Sequence, residues 1–212
     1  MKKTSFNFLL LFSFVIITSC SKSGNETLVE NNVAPEIKHL NYPIGNGPFV
    51  YFEDNVFKDL LLNNFSINSN HDNEITIVEA LVYNANIDVS FKHIKSLVGV
   101  EKFENLVALN CANNDILHVD FSKNINLEYL DCSVNPFIEI DLTLNSKLKQ
   151  LQISNTNITD LDLSKNTNLG RVVGQCNHLL KSINVKNEHN TDIGIFYFEM
   201  NNTALKCIQV DN

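Results

Sequence analysis

Apolar residues in the second half of the chain recur at intervals of 21 positions. Two of these columns carry an aliphatic side chain in every copy: Leu106, Leu127, Leu148 and Leu169, and Leu109, Leu130, Leu151 and Val172. Other columns follow at the same interval: Cys111, Cys132, Ile153 and Gly174; Ile116, Phe137, Ile158 and Leu179. The later part of the fourth copy continues one residue late, which predicts a one-residue insertion in a loop. A fixed period of this length predicts a solenoid in which each repeat forms one coil.

Apolar and polar residues alternate over a short stretch of each repeat. In the first repeat Leu109 and Cys111 flank Asn110, and a period of two is typical of a strand with one buried face. We therefore expect Leu109 and Cys111 to point inward and Asn110 to point outward. Because one coil cannot bury its own apolar face, stacked coils are expected to place these strands side by side in a parallel sheet.

Asparagine is unusually frequent, with 33 residues among 212, and many of them share columns. One column holds Asn114, Asn135, Thr156 and Asn177, and another holds Asn124, Asn145 and Asn166. A short coil turns sharply several times, and the buried backbone groups of its turns need hydrogen-bond partners. The asparagine amide offers donors and an acceptor on a short side chain, so the columns predict stacked asparagines that satisfy these turns. Thr156 has no amide, which predicts a local irregularity.

The chain begins with the features of an export signal. Two lysines precede an apolar run over 6–17, which is short for a permanent membrane-spanning helix, and small residues follow it. The order Ile, Thr, Ser, Cys that ends at Cys20 resembles the lipobox of bacterial lipoproteins. The resemblance implies a cleaved signal peptide at 1–19, a lipid anchor on Cys20 and a flexible tether over 20–48. An ordinary secretory signal is the alternative.

The segment after the tether, 49–104, is predicted to contain two short helices. Asp54 precedes apolar residues at helical spacing, as an N-cap residue does. A second helical stretch starts at Ile77. Since the first coil of a solenoid needs its exposed core face covered, we expect this segment to form a helical N-terminal cap.

The loop between the two helices, 68–79, matches the twelve-position pattern of an EF-hand calcium loop. Only Asp72 and Glu79 would offer carboxylates, and asparagine replaces both the usual aspartate at position one and the usual glycine at position six. Weak calcium binding and a metal-free turn are therefore both open. The candidate ligands are Asn68, Asn70, Asp72, Glu74 (through its backbone carbonyl) and Glu79.

The pattern of leucine, cysteine or isoleucine, and asparagine at these spacings resembles the leucine-rich repeat. It is similar to the short 21-residue form on exported proteins of Bacteroidetes-type bacteria. The resemblance implies an α/β leucine-rich repeat solenoid with one parallel sheet and a small helical N-terminal cap. It also implies that 105–212 comprises the repeats and a closing repeat, and it associates the fold with protein binding.

Charge and motif content narrow the classes of function. Lys and Arg total 16 against 24 Asp and Glu, which gives a net charge of −8, and Arg171 is the only arginine. This balance argues against a nucleic-acid partner. No nucleophile and base set, phosphate-binding loop or paired histidines at metal-ligand spacing stands out in the sequence, so we expect no enzymatic activity.

The cysteines after Cys20 fall into two groups. Cys111 and Cys132 occupy one core column in adjacent coils, which predicts buried free thiols rather than a disulfide. Cys176 and Cys207 lie off that column, and a disulfide between them is left open because an exported protein meets an oxidising compartment.

The outward positions of the predicted strands form a candidate binding face. Tyrosine and arginine are frequent binding anchors, so we expect a non-catalytic, lipid-anchored envelope protein that binds a protein or polysaccharide there. The alternative is a structural or accessory envelope lipoprotein with no specific ligand on this face. We expect attachment to the outer membrane, with periplasmic and surface orientations both open. One expected column of this face comprises Tyr129, Gln150, Arg171 and, in the closing repeat, Tyr197, and the next comprises Asp131 and Gln152.

Overall fold

A computed structural model of the protein describes residues 48–188, 193–198 and 200–211. The predicted signal peptide, Cys20 and all but the last residue of the predicted tether lie outside these ranges. Within them the chain forms two helices, α1 (Asn55–Leu62) and α2 (Ile77–Val82), and nine short strands. The strands are β1 (Asn86–Asp88), β2 (Ala108–Asn110), β3 (Tyr129–Asp131), β4 (Gln150–Gln152), β5 (Asp160–Asp162), β6 (Arg171–Val173), β7 (Ser182–Asn184), β8 (Ile195–Tyr197) and β9 (Cys207–Gln209).

The strands stack into two parallel sheets on different sides of a solenoid. The larger sheet has the order β1-β2-β3-β4-β6-β8, and the smaller has the order β5-β7-β9. The predicted solenoid with a parallel sheet is confirmed. The smaller sheet was not predicted, although Asp160, Leu161 and Asp162 alternate in the same way as the strands of the larger sheet.

The inward columns form one continuous core. Leu109, Leu130, Leu151 and Val172 are paired in register across the larger sheet and are at most 2% exposed. Gly174 ends the column of Cys111, Cys132 and Ile153 for a steric reason. A Cβ atom on Gly174 would lie 2.1 Å from the ring of Phe198, so the ring of Phe198 occupies the space that a larger residue would need.

The one-residue insertion in the fourth coil lies earlier in the coil than predicted. Leu180 is fully buried, whereas Leu179 is 50% exposed, so the prediction that Leu179 continues the column of Ile116 is wrong. The extra residue falls between Asn177 and Leu180. Ile183 is then buried 22 residues after Leu161, with which it is paired in the smaller sheet.

Buried asparagine amides join consecutive coils, as the columns predict. The Nδ2 atom of Asn135 donates to the carbonyls of Cys111 in the preceding coil and Cys132 in its own coil, at 2.9 and 3.2 Å. Its Oδ1 atom accepts from the amide of Ile116 at 3.1 Å. In the second column Asn145 Nδ2 likewise donates to two backbone carbonyls, one of them that of Asn124 at 2.9 Å. Each amide therefore closes a turn and fixes the spacing of two coils at once.

Thr156 interrupts the first of these columns in the predicted way. The carbonyl of Cys111 accepts from two stacked asparagines. Thr156 donates its hydroxyl to Asn177 Oδ1 instead, at 2.7 Å. Among the described residues the carbonyls of Cys132 and Ile153 are thus left with one side-chain amide each.

A further column, not predicted from the sequence, turns the chain after each strand of the larger sheet. Its residues have φ between 54° and 59°, the left-handed region. Asparagine adopts this conformation more readily than other residues with a side chain, but β-branched Val134 does not, and such a residue stores roughly 1–2 kcal/mol of strain. The column consists of Phe91, Asn113, Val134, Asn155, Cys176 and Asn201.

The N-terminal cap contains the two predicted helices. Asp54 Oδ1 accepts from the amides of Val56 and Phe57 and so caps α1. Thr76 and Glu79 form a capping box at the start of α2. The segment 49–104 also contributes β1, which pairs with β2, so the larger sheet begins one coil before the predicted start of the repeats.

Replacing Thr156 with asparagine is expected to stabilise the protein. The new amide would donate to the carbonyls of Cys132 and Ile153, and we expect a gain of about 1 kcal/mol in the free energy of unfolding. Urea unfolding of the wild type and the T156N variant measures this change. The reciprocal variant Asn135→Thr should lose at least as much, and a T156N protein no more stable than the wild type would contradict the account.

Candidate functional site

The outward side chains of the larger sheet form two columns, which we call the open face. Strand pairing sets residues of neighbouring strands side by side, about 4.8 Å apart. The first column is Asn86, Ala108, Tyr129, Gln150, Arg171 and Ile195, and the second is Asp88, Asn110, Asp131, Gln152, Val173 and Tyr197.

Five of the six predicted face residues occupy the columns expected from the repeat. Tyr129, Gln150 and Arg171 follow one another in the first column, and Asp131 and Gln152 are neighbours in the second. The sixth residue lies in a different column from the one predicted. Tyr197 was expected to continue the line of Arg171, but it is the partner of Val173. The closing coil is longer than the others, since Phe196 follows its partner Val172 by 24 residues.

A shallow depression of about 370 Å³ lies on the open face over β1 to β4. Four of the predicted face residues line it: Tyr129, Asp131, Gln150 and Gln152. Tyr129 is 40% exposed. Its ring and the polar side chains around it are therefore accessible from solvent.

The polar groups in this depression are largely uncommitted within the described part of the protein. Neither the Tyr129 hydroxyl nor the amides of Gln150 and Gln152 make a hydrogen bond there, and Asp131 uses only Oδ1, which accepts from the amide of Ser133 at 3.0 Å. The outward pair on β1 and β2 differs, since Asn110 Nδ2 donates to Asp88 Oδ2 at 3.1 Å. Asn184 Nδ2 binds Asp162 Oδ1 in the same way on the smaller sheet, at 3.1 Å.

Asn86 and Asp88 also line the depression but were not predicted as face residues. Both belong to β1, in the segment assigned to the helical cap. The signal was present in the sequence, because apolar Ile87 and Val89 flank Asp88 as Leu109 and Cys111 flank Asn110. A spacing of 22 rather than 21 residues between these two strands concealed it.

Aspartates at the outer turns of the coil have the structural role that their position indicates. Asp120 Oδ1 accepts from the amide of Ser122 at 2.8 Å. Asp141 and Asp162 likewise accept from the amide two residues further along the chain. Hydrogen bonds from Ser122 lower the pKa of Asp120, so this carboxylate is charged at neutral pH. These aspartates therefore stabilise turns.

The loop over 68–79 is held by Glu79, which is 2% exposed. Glu79 Oε1 accepts from the amide and hydroxyl of Ser69 at 2.9 and 3.0 Å, and Oε2 accepts from the amide and hydroxyl of Thr76 at 2.9 Å. Burial alone would raise the pKa of Glu79, but these hydrogen bonds outweigh burial and lower the pKa below its usual value.

The side chains of the other candidate calcium ligands differ in what they bind. Asn70 Nδ2 donates to Asp72 Oδ2 at 2.8 Å, and Glu74 Oε2 pairs with Lys58 Nζ at 2.7 Å. Asn68 Oδ1 is buried without a hydrogen-bond partner in the described structure. No group of three acidic, histidine or cysteine residues suited to a metal occurs in the parts of the chain that the structure describes. Weak calcium binding and a metal-free turn both stay predictions.

The thiols of Cys111 and Cys132 are free and completely buried, as predicted. Burial raises the pKa of both, and the nearby charge of Asp131 adds to this effect, so neither is a reactive nucleophile. Cys176 also carries a free thiol. The disulfide with Cys207 that the sequence left open is therefore not formed.

Solved structures similar to this chain include three from Listeria monocytogenes. The functional domain of InlJ, which includes a cysteine ladder, is 21% identical over 73% of this chain, with a TM-score of 0.42. Internalin C2 is 16% identical over 76% of the chain, with a TM-score of 0.49. The internalin InlF is 17% identical over 76% of the chain, with a TM-score of 0.48.

The chain spans 43% of the InlJ structure, 75% of the internalin C2 structure and 63% of the InlF structure. No protein-family model matches the chain, and no curated protein matches it.

Replacing Glu79 with glutamine tests its role in the loop. Since the pKa of Glu79 is lower in the folded than in the unfolded chain, its ionised form stabilises the fold at neutral pH, and this contribution is lost as the pH falls below the ordinary glutamate pKa. E79Q should lower the free energy of unfolding by about 1–3 kcal/mol at neutral pH, with a smaller deficit in acid.

Urea unfolding followed by circular dichroism at neutral and acidic pH measures both effects. The matched control is Glu104→Gln, because Glu104 is exposed. An E79Q deficit that does not shrink in acid would contradict a role for the charge.

Proposed function

We propose that this protein is a non-catalytic binding module whose open face binds a protein partner. The observation that carries the proposal is the depression over β1 to β4, where Tyr129, Gln150 and Gln152 present polar groups that the described residues leave unbound. An exposed tyrosine ring beside two amides that bind no described residue offers both apolar area and hydrogen-bonding groups to a partner. Aromatic residues with hydrogen-bonding neighbours are typical of interface centres.

The proposed module is held at the bacterial envelope by a lipid on Cys20. The support is the sequence alone: two lysines, an apolar run over 6–17 and the lipobox-like residues that end at Cys20. The tether over 20–48 would then separate the coils from the membrane, and the outer membrane is the proposed site of attachment. Among the described residues, no helix has both the length and the apolar character needed to cross a bilayer.

A double variant tests the binding function. We would replace Tyr129 and Arg171 together by alanine in the full-length chain and compare the proteins crosslinked to the variant and to the wild type in intact cells. We expect the double variant to lose a crosslinked protein that the wild type captures, by at least about tenfold if these residues anchor the interface, with unchanged thermal unfolding.

The matched control replaces Leu144 and Lys165 by alanine, since both are exposed in turns and neither belongs to the open face. This control should retain the crosslinked protein. Equal capture by the wild type and the Tyr129 and Arg171 variant would favour the structural or accessory role instead.

Metabolic labelling tests the lipid anchor. A cell fed an alkyne-bearing fatty acid should label the wild-type chain, whereas the Cys20→Ser variant should carry no label, because the thiol is the proposed acceptor. Replacement of Ser19 by alanine keeps the thiol and serves as the control. An unlabelled wild-type chain in the soluble exported fraction would indicate an ordinary secretory signal.

A further inference from the structure

Four side chains in the depression form a compact group on two adjacent strands. Tyr129 and Asp131 are two residues apart on β3, and their partners on β4 are Gln150 and Gln152. Alternate residues of a strand lie about 7 Å apart, and neighbouring strands about 4.8 Å apart. The four side chains thus leave one face of the sheet at the corners of a rectangle that a single side chain of a partner can cover.

The charge in this group is negative and uncompensated. Asp131 is a carboxylate whose Oδ2 atom receives no hydrogen bond from the described residues, and no cation occupies an outward position on β1 to β4. Lys149, which directly precedes Gln150, is already paired with Glu128 at 2.7 Å. Arg171 lies on the other side of Gln150, one strand further along the first column.

The remaining groups favour the same kind of ligand. The glutamine carbonyls and the tyrosine oxygen are acceptors, and a guanidinium offers five donors in one plane. An exposed tyrosine ring also attracts a cation placed over its face. A carboxylate, several acceptors and a ring within one side chain's reach are complementary to an arginine or lysine.

We propose that Tyr129, Asp131, Gln150 and Gln152 form a subsite for a cationic side chain, preferably arginine, of the protein that binds the open face. This proposal rests on the binding function proposed above and adds the chemistry of the partner. Arg171 then lies about 10 Å from Tyr129, two strand spacings along the column. It suits an acidic residue of the same partner, so the bound segment carries charges of both signs.

The test uses small probes with the full-length chain in detergent. The probe is N-acetyl-arginine methylamide, and the matched neutral probe is N-acetyl-citrulline methylamide, in which a urea group replaces the guanidinium. Ligand-observed saturation-transfer NMR reports the affinity of each probe. We expect saturable binding of the arginine probe, weaker binding of the citrulline probe by about fivefold, and loss of this difference at high salt.

The variant Asp131→Asn removes the charge without removing the turn. Asparagine serves the same turn one strand earlier, where Asn110 Oδ1 accepts from the amide of Ala112 at 3.1 Å. D131N should weaken binding of the arginine probe by about fivefold and leave binding of the citrulline probe unchanged. Asp120→Asn is the control, because it makes the same substitution at an outer turn of the coil.

Three outcomes would overturn the subsite: equal affinity for both probes, an arginine affinity that D131N does not alter, or a preference for methyl α-glucopyranoside, which would point to a glycan. These outcomes are separable from failure of the binding function. Loss of the crosslinked protein in the Tyr129 and Arg171 variant, but not in D131N, would retain the binding function and reject the cationic subsite. If D131N abolishes binding of the arginine probe but no partner is crosslinked to the wild type, the cationic subsite would be retained and the binding function rejected.

Discussion

The hydrogen bond from a buried asparagine side chain to backbone carbonyls of two coils is the interaction on which this architecture depends. Strand pairing in the larger sheet joins three residues of each coil, and much of the remaining backbone lies in turns. An amide nitrogen with two hydrogens can donate to one carbonyl in its own coil and one in the preceding coil, as in Asn135, or to two carbonyls of the preceding coil, as in Asn145. Because an unsatisfied buried carbonyl is costly, the side chain fixes both the turn and the distance between coils.

The same backbone carries outward side chains that bind each other at some strands and not at others. Asp162 and Asn184 bond each other across the smaller sheet, and Asp88 and Asn110 do so across β1 and β2 of the larger sheet. On β3 and β4, longer glutamine side chains stand beside Tyr129 and form no such bond. The difference lies only in outward residues, which the core columns do not constrain. A binding face can therefore change without a change in the coil.

Periodic features of the fold could be predicted from the sequence because stacking repeats every physical requirement at the same position. The inward leucines, the asparagine columns and the capped helix after Asp54 all follow from single residues and their spacing. Features at the boundaries could not be predicted in this way. Leu179, Tyr197 and β1 were misplaced because the coils that contain them differ from 21 residues, and only the three-dimensional packing of Leu180, Phe198 and Ile87 shows where the extra residues lie. The loop over 68–79 was similarly ambiguous, since the sequence around Glu79 fits a calcium loop and a capping box equally well.

The extra residue before Leu180 has a consequence for how such a chain can change over generations. It lies in the interval between one ladder asparagine and the next buried side chain, where Leu179 is pushed out to solvent and both neighbours keep their places. Gene duplication or loss of a whole coil preserves the spacing of the amides, whereas a deletion across a ladder position removes a bond to two coils. The molecule can therefore vary in copy number and in loop length at this interval, which makes the turn before Leu180 a natural place to graft a foreign peptide.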